Sequence, residues 1–66
     1  MYEVLRKVRE EKGYTMADMA KVIDKSVPNY SMKETGKLKF SLSEALKIAD
    51  FLEVNVEDIF LKTNLQ

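Results

Sequence analysis

From residue 15 to residue 37 the chain reads TMADMAKVIDKSVPNYSMKETGK. This is two short helical patterns on either side of a tight turn, closed by a glycine. Thr15 is a capping residue type, and Met19, Ala20 and Ile23 follow it at the spacing of one buried helix face. Ser26 caps the second pattern, Tyr30 falls on its inward side, and Gly36 stands where a helix C-terminus favours a left-handed residue. Two helices crossing steeply over such a turn can present the second one to a DNA major groove. The expectation is a helix-turn-helix over about residues 15–36.

The rest of the chain continues in helices. A first helix is expected over residues 2–12, stopping at Gly13, with Val4, Leu5 and Val8 at helical spacing. The helix-turn-helix pair covers about 16–23 and 27–35. Ser41 with Glu44 three residues on is a capping box that opens a fourth helix. Leu42, Ala45, Leu46, Ile48, Ala49 and Leu52 give that helix a broad apolar face, and it ends at Glu53 and Val54. Asn55 can cap a short fifth helix over about 56–61, with Glu57 and Asp58 near its positive end. The tail 62–66 is expected to fray. There is no repeat, low-complexity tract or strand pattern. The predicted core is Leu5, Val8, Met19, Ala20, Ile23, Phe40, Leu46, Ile48, Ala49, Leu52 and Ile59.

Composition narrows the function classes. Residues 1–66 are expected to form one domain, and a chain this short buries only about 60% of its unfolded surface. It needs an efficient core or a partner subunit. Cysteine and histidine are both absent. That excludes a disulfide framework and a thiolate metal site, and removes the commonest acid–base residue and metal ligand. No enzyme activity, metal, cofactor or small-molecule ligand is expected. The four methionines need no cofactor: Met19 reads as core, Met1 as the initiator, Met16 and Met32 as exposed. No stretch approaches the roughly 20 apolar residues of a membrane span, nor has the N-terminus a secretory pattern, so a cytoplasmic protein without membrane partner is expected.

The formal net charge is zero, which is not the usual basic footprint of a nucleic-acid binder. The distribution is more informative. Residues 1–40 hold nine Lys/Arg against six Asp/Glu, and residues 41–66 hold two against five. Within 21–39 lie Lys21, Lys25, Lys33, Lys37 and Lys39 against only Asp24 and Glu34. The positive charge gathers around the second helix of the pair. Ordinary solvated surface remains the alternative reading for each lysine taken singly.

Arg9, Gly13, Thr15, Ala20, Ser26, Tyr30, Glu34, Gly36, Phe40, Ile48, Ala49, Leu52, Ile59 and Phe60 together resemble the Cro and phage-repressor (XRE) family of regulators. The run YSMKETGKLKFSLSEALKIADFLEVNVEDIF looks like the small phage-type regulators of Gram-positive bacteria. The resemblance extends from about Leu5 to Phe60. It implies an all-α, five-helix, lambda-repressor-like DNA-binding domain with the helix-turn-helix in helices 2 and 3. It implies a transcription regulator, a repressor by type, that binds double-stranded DNA as a homodimer on a two-fold symmetric operator. Two reading helices would then stand about 34–36 Å apart, one turn of B-DNA. The family also pairs an arginine late in helix one with the glutamate ending the reading helix, which here is Arg9 with Glu34. Thr15 falls at the family's phosphate-facing position.

Reading helices touch bases with their first residues and with one a turn later. Those positions are Ser26, Val27, Pro28, Asn29, Ser31 and Met32. Family members often have Gln, Arg or Lys there. Here Val27, Pro28 and Met32 offer only apolar contacts, for example to a thymine methyl, while Asn29 suits adenine and Ser26 either base class. Pro28 is compatible with the first helical turn, where its missing N–H has no intrahelical acceptor. Phosphate candidates are Thr15, Lys25, Thr35, Lys37 and Lys39, with Ser41 able to add to them; Met16 stands where the family commonly has glutamine. The apolar surplus at Val54, Val56, Ile59, Phe60, Leu61 and Leu65 suggests a dimer interface, with Val56, Phe60 and Leu61 the candidates. Local packing beneath the tail is the alternative. The alternative function is a protein-interaction module on the same fold, antitoxin-like or repressor-modulating, whose apolar helix tip meets a protein.

Overall fold

Four α-helices and one terminal π-helical turn follow each other: α1 (Glu3–Glu11), α2 (Met16–Val22), α3 (Val27–Glu34), α4 (Leu42–Leu52) and the π-turn (Glu57–Leu61). The computed structural model describes residues 2–61, apart from the Leu61 side chain, and contains no strand among them. The expectations for Met1, for the Leu61 side chain and for the tail 62–66 fall outside the described residues.

The helix starts are chemical. Thr15 and Asp18 form a reciprocal capping box on α2: the Thr15 hydroxyl accepts from the Asp18 N–H at 3.1 Å, and the Asp18 carboxylate accepts from the Thr15 N–H at 2.9 Å. Ser41 and Glu44 do the same on α4. Ser26 caps α3 by accepting the Asn29 N–H at 3.2 Å, with Pro28 in the first turn. The helix ends share one geometry. After each α-helix a residue with positive φ closes the backbone: Gly13 (φ 82), Asp24 (φ 58), Gly36 (φ 91) and Glu53 (φ 60). The residue after it then donates its N–H back into the last turn, as Tyr14 does to Arg9 at 3.0 Å and Lys37 does to Met32 at 2.8 Å. Asp24 and Glu53 hold this left-handed conformation with a side chain, which glycine would do without the Cβ clash.

The core is Leu5, Met19, Ala20, Ile23, Tyr30, Ala45, Ile48, Ala49, Leu52, Ile59 and Phe60. Helix α2 packs on α3 and α4, while α1 packs on α3 and the π-turn. Phe40, in the loop after α3, is half-buried and is the hub of an aromatic cluster. Its ring centroid lies 5.2 Å from Tyr2, 5.1 Å from Phe60 and 6.1 Å from Tyr30, all edge-on. Such edge-to-face contacts add to the area buried.

Two expectations about apolar residues need correction. Leu46 belongs to the predicted core but is 50% exposed, and Leu42 is 75% exposed. The inward ridge of α4 is Ala45, Ile48, Ala49 and Leu52, and Leu46 lies about 100° around the helix from Ala45. Leu42 and Val56 instead rim a 240 Å³ groove floored by Tyr2, Phe40 and Phe60. The fifth helix is present, wound as a π-turn, and its adjacent Ile59 and Phe60 both enter the core, as Met19 with Ala20 and Ile48 with Ala49 do on α2 and α4. Phe60, an interface candidate by its apolar surroundings in the chain, is therefore buried within its own domain, in ring contact with Tyr2 and Phe40. No helix among the described residues is long and apolar enough to cross a membrane.

Candidate nucleic-acid interface

The rotation of α3 about its axis is set by two buried ionic anchors. On one side, Arg9 of α1 donates from Nε to Glu34 Oε2 at 2.8 Å and from Nη2 to Oε1 at 3.3 Å, while Nη1 donates to the Tyr14 carbonyl at 2.9 Å. The Tyr30 hydroxyl donates to the same Glu34 Oε2 at 2.7 Å. Burial by itself lowers the Arg9 pKa, but the Glu34 hydrogen bond and charge outweigh it and raise it above the ordinary value. Burial, then the bond to the Glu34 carboxylate, pushes the Tyr30 hydroxyl up. Arg9 therefore stays charged and Tyr30 stays a neutral donor. The backbone joins in: the Tyr2 N–H donates to the Glu34 carbonyl at 3.2 Å.

On the other side, Lys33 Nζ donates to both oxygens of Glu44 at 2.7 Å. Glu44 also accepts the Ser41 N–H at 3.0 Å, so one carboxylate caps α4 and ties α3 to it. Burial pushes the Glu44 carboxyl up, but the Lys33 and Ser41 bonds more than offset this and hold it below the ordinary carboxylate range. Lys33 is thereby 7% exposed and withdrawn from the basic surface to which its position in the chain assigns it. The pairing spans eleven residues and has no local signature. The available signal is spacing: Lys33 and Glu34 lie three and four residues after the inward Tyr30, on one face of α3.

Turning Tyr30, Lys33 and Glu34 inward leaves Val27, Pro28, Ser31, Met32 and Thr35 on the outer side. Val27 is 43% and Met32 41% exposed; Pro28 is exposed and Ser31 half-buried. Ser26 is exposed, with its hydroxyl engaged as the cap. Asn29 is half-buried, and its Oδ1 is buried with no hydrogen-bond partner within the protein. Exposed Lys25 precedes the helix, and exposed Lys37 and Lys39 follow it. Thr35 is exposed and donates its hydroxyl to the Ser31 and Met32 carbonyls at 3.1 and 3.2 Å. Thr15 is exposed too, but the Asp18 carboxylate already occupies that end of α2. The Thr15 amide and hydroxyl hold Asp18 below its ordinary pKa, so an anion sits where a phosphate would. Val56 is half-buried at the groove rim, away from this set in sequence. No group of three or more acidic residues among the described ones is arranged to hold a metal.

The profile of a family described as helix-turn-helix matches residues 5–59, spanning α1 to the π-turn. A search of curated proteins found no match.

Proposed function

The chain belongs to the Cro-type (XRE) helix-turn-helix family of DNA-binding transcription regulators, and on that premise we propose that it is a phage-type repressor inserting α3 into the major groove of double-stranded DNA. The observation that carries this reading is the outer side of α3, where Val27, Pro28 and Met32 are exposed and take no part in the two ionic anchors. Ser26, Val27, Pro28, Asn29, Ser31 and Met32 are its base-reading set. Lys25, Lys37 and Lys39 meet phosphates at the two ends of the helix; Thr15 adds a hydroxyl hydrogen beside the Asp18 carboxylate, whereas the Thr35 hydroxyl already donates to the α3 carbonyls. Asn29 gains doubly from an adenine: a carbonyl buried without a partner costs about 1–3 kcal/mol, and turning outward pairs both ends of its amide.

The protein acts in the cytoplasm as a homodimer on a two-fold operator, its α3 helices about 34–36 Å apart. Since Phe60 lies in the core, Val56 and Leu61 are the proposed interface residues, and the exposed Leu42 across the groove from Val56 and Leu46 one turn on along α4 are added to them. The apolar character of Val27 and Met32 favours one competing reading, a protein-interaction module on the same fold. Salt separates the two, because log affinity for DNA falls with log salt by about 0.9 per phosphate neutralised. Titrating a random-sequence duplex across salt concentrations measures that slope. Lys37→Glu with Lys39→Glu should weaken binding to every sequence, whereas changing Asn29 or Met32 should alter preference among sequences. Unchanged affinity of the double reversal at physiological salt would remove the proposed phosphate surface.

A further inference from the structure

The outer face of α3 carries no charge. Among the described residues of α3 the two charged ones are Lys33 and Glu34, at 7% and 3% exposure, each locked to a partner on another helix. Thr35 spends its hydroxyl hydrogen on the helix's own carbonyls. What remains outside is Val27, Pro28 and Met32, with Ser31 between them, flanked by the exposed lysines 25, 37 and 39.

The major-groove edge of guanine presents two acceptors, O6 and N7, and is read by a paired donor, in most cases arginine or lysine. This helix has no such donor to offer. Thymine presents a C5-methyl group, which an apolar side chain meets with favourable burial. Either base pair loses water from three polar groups under these side chains, but only A·T returns a methyl contact for it. Building on the major-groove reading above, we infer that α3 selects its half-site by thymine methyl groups packed against Val27 and Met32, a contact that a G·C pair at those positions cannot return. The lysines at both ends favour a polyanion over an apolar protein groove as the occupant of this face, since a duplex places phosphates on both walls of the groove.

The test uses duplexes that differ by the methyl alone. A random-sequence pool built with thymidine is enriched on the full chain, and each thymine of the enriched duplex is then replaced by deoxyuridine. The Watson–Crick edge is unchanged and only the C5-methyl is lost. The expected result is about a fourfold loss of affinity for each contacted methyl. Met32→Ala should abolish the loss at one position and Val27→Ala at another. Both side chains are exposed, so both variants should keep the fold and the salt slope. If deoxyuridine changes nothing while substituting 7-deazaguanine weakens binding, the methyl inference is overturned and the DNA-binding reading stands. If the pool yields no enriched sequence and no salt-dependent binding, both are overturned and the apolar face belongs to a protein partner.

Discussion

Replacing Glu34 by leucine should destabilise the protein more than replacing the whole Arg9–Tyr30–Glu34 cluster by apolar residues. Glu34 is 3% exposed and Arg9 6%. In Glu34→Leu the guanidinium stays buried with one remaining strong acceptor, the Tyr14 carbonyl, and a 3.6 Å approach to the exposed Glu10. Removing one partner of a buried ion pair costs about 3–5 kcal/mol, because the surviving charge is uncompensated. The Tyr30 hydroxyl loses its acceptor as well, which adds about 1–3 kcal/mol. A swing of Arg9 toward Glu10 recovers part of this. A domain of this length has only about 3–10 kcal/mol in total, so the single variant should sit near or below its folding threshold. The triple variant Arg9→Met, Tyr30→Phe, Glu34→Leu leaves no buried charge and no orphaned hydroxyl. It should lie within about 1–2 kcal/mol of wild type, the ordinary cost of imperfect apolar repacking. Urea denaturation followed by far-ultraviolet circular dichroism compares the three proteins directly. If the triple variant is as unstable as the single one, the cluster contributes net stability rather than orientation, and the desolvation argument is wrong.

Other expectations follow from single features. Glu44→Gln should cost about 1–3 kcal/mol at neutral pH. Because the Glu44 pKa is depressed in the folded state, its contribution is present above the unfolded value near 4.5 and lost as pH falls through the lower folded value; thermal melts of wild type and Glu44→Gln should converge there. Glu53→Gly should stabilise by about 0.5–1 kcal/mol, relief of the left-handed side chain outweighing the added chain entropy, so a lower melting temperature would contradict the helix-end geometry. Phe40→Ala removes the hub of three ring contacts and should cost about 3 kcal/mol, toward the low end for phenylalanine because the ring is half-buried; a near-wild-type melt would show that the cluster is not part of the core. Leu46→Glu should leave the monomer fold intact and lower the apparent mass in sedimentation at matched concentration, and an unchanged mass distribution in a dimeric wild type would move the interface elsewhere.

The helix boundaries were legible because their causes are local. Thr15, Ser26 and Ser41 cap through their own hydroxyls, and Gly13 and Gly36 close their helices with positive φ, so each start and stop can be placed from a few adjacent residues. Asp24 and Glu53 close helices in the same conformation without that signal, since acidic residues are common anywhere on a surface. Periodicity located the apolar side of α4 but not its width. How far burial reaches around a helix depends on what covers it, and α2 packed on α4 leaves Leu42 and Leu46 outside. Phe60 shows the converse: an apolar surplus along a short segment carries no direction until tertiary packing sets it, here against Tyr2 and Phe40.

The candidate interface divides along the same line. Its positions could be counted from the Ser26 cap, but its charge could not. Counted along the chain, Lys33 belongs to a basic cluster of five lysines around the reading helix. In the fold it neutralises Glu44, and the exposed side of the helix it sits on carries no charged side chain. Affinity and selectivity thereby become separable. The cations that any duplex would attract stand at the two ends, on Lys25, Lys37 and Lys39, where reversing them should act on all sequences alike. The side chains proposed above to read bases stand between them and are uncharged, so their replacement should leave the salt dependence untouched while the preferred sequence changes.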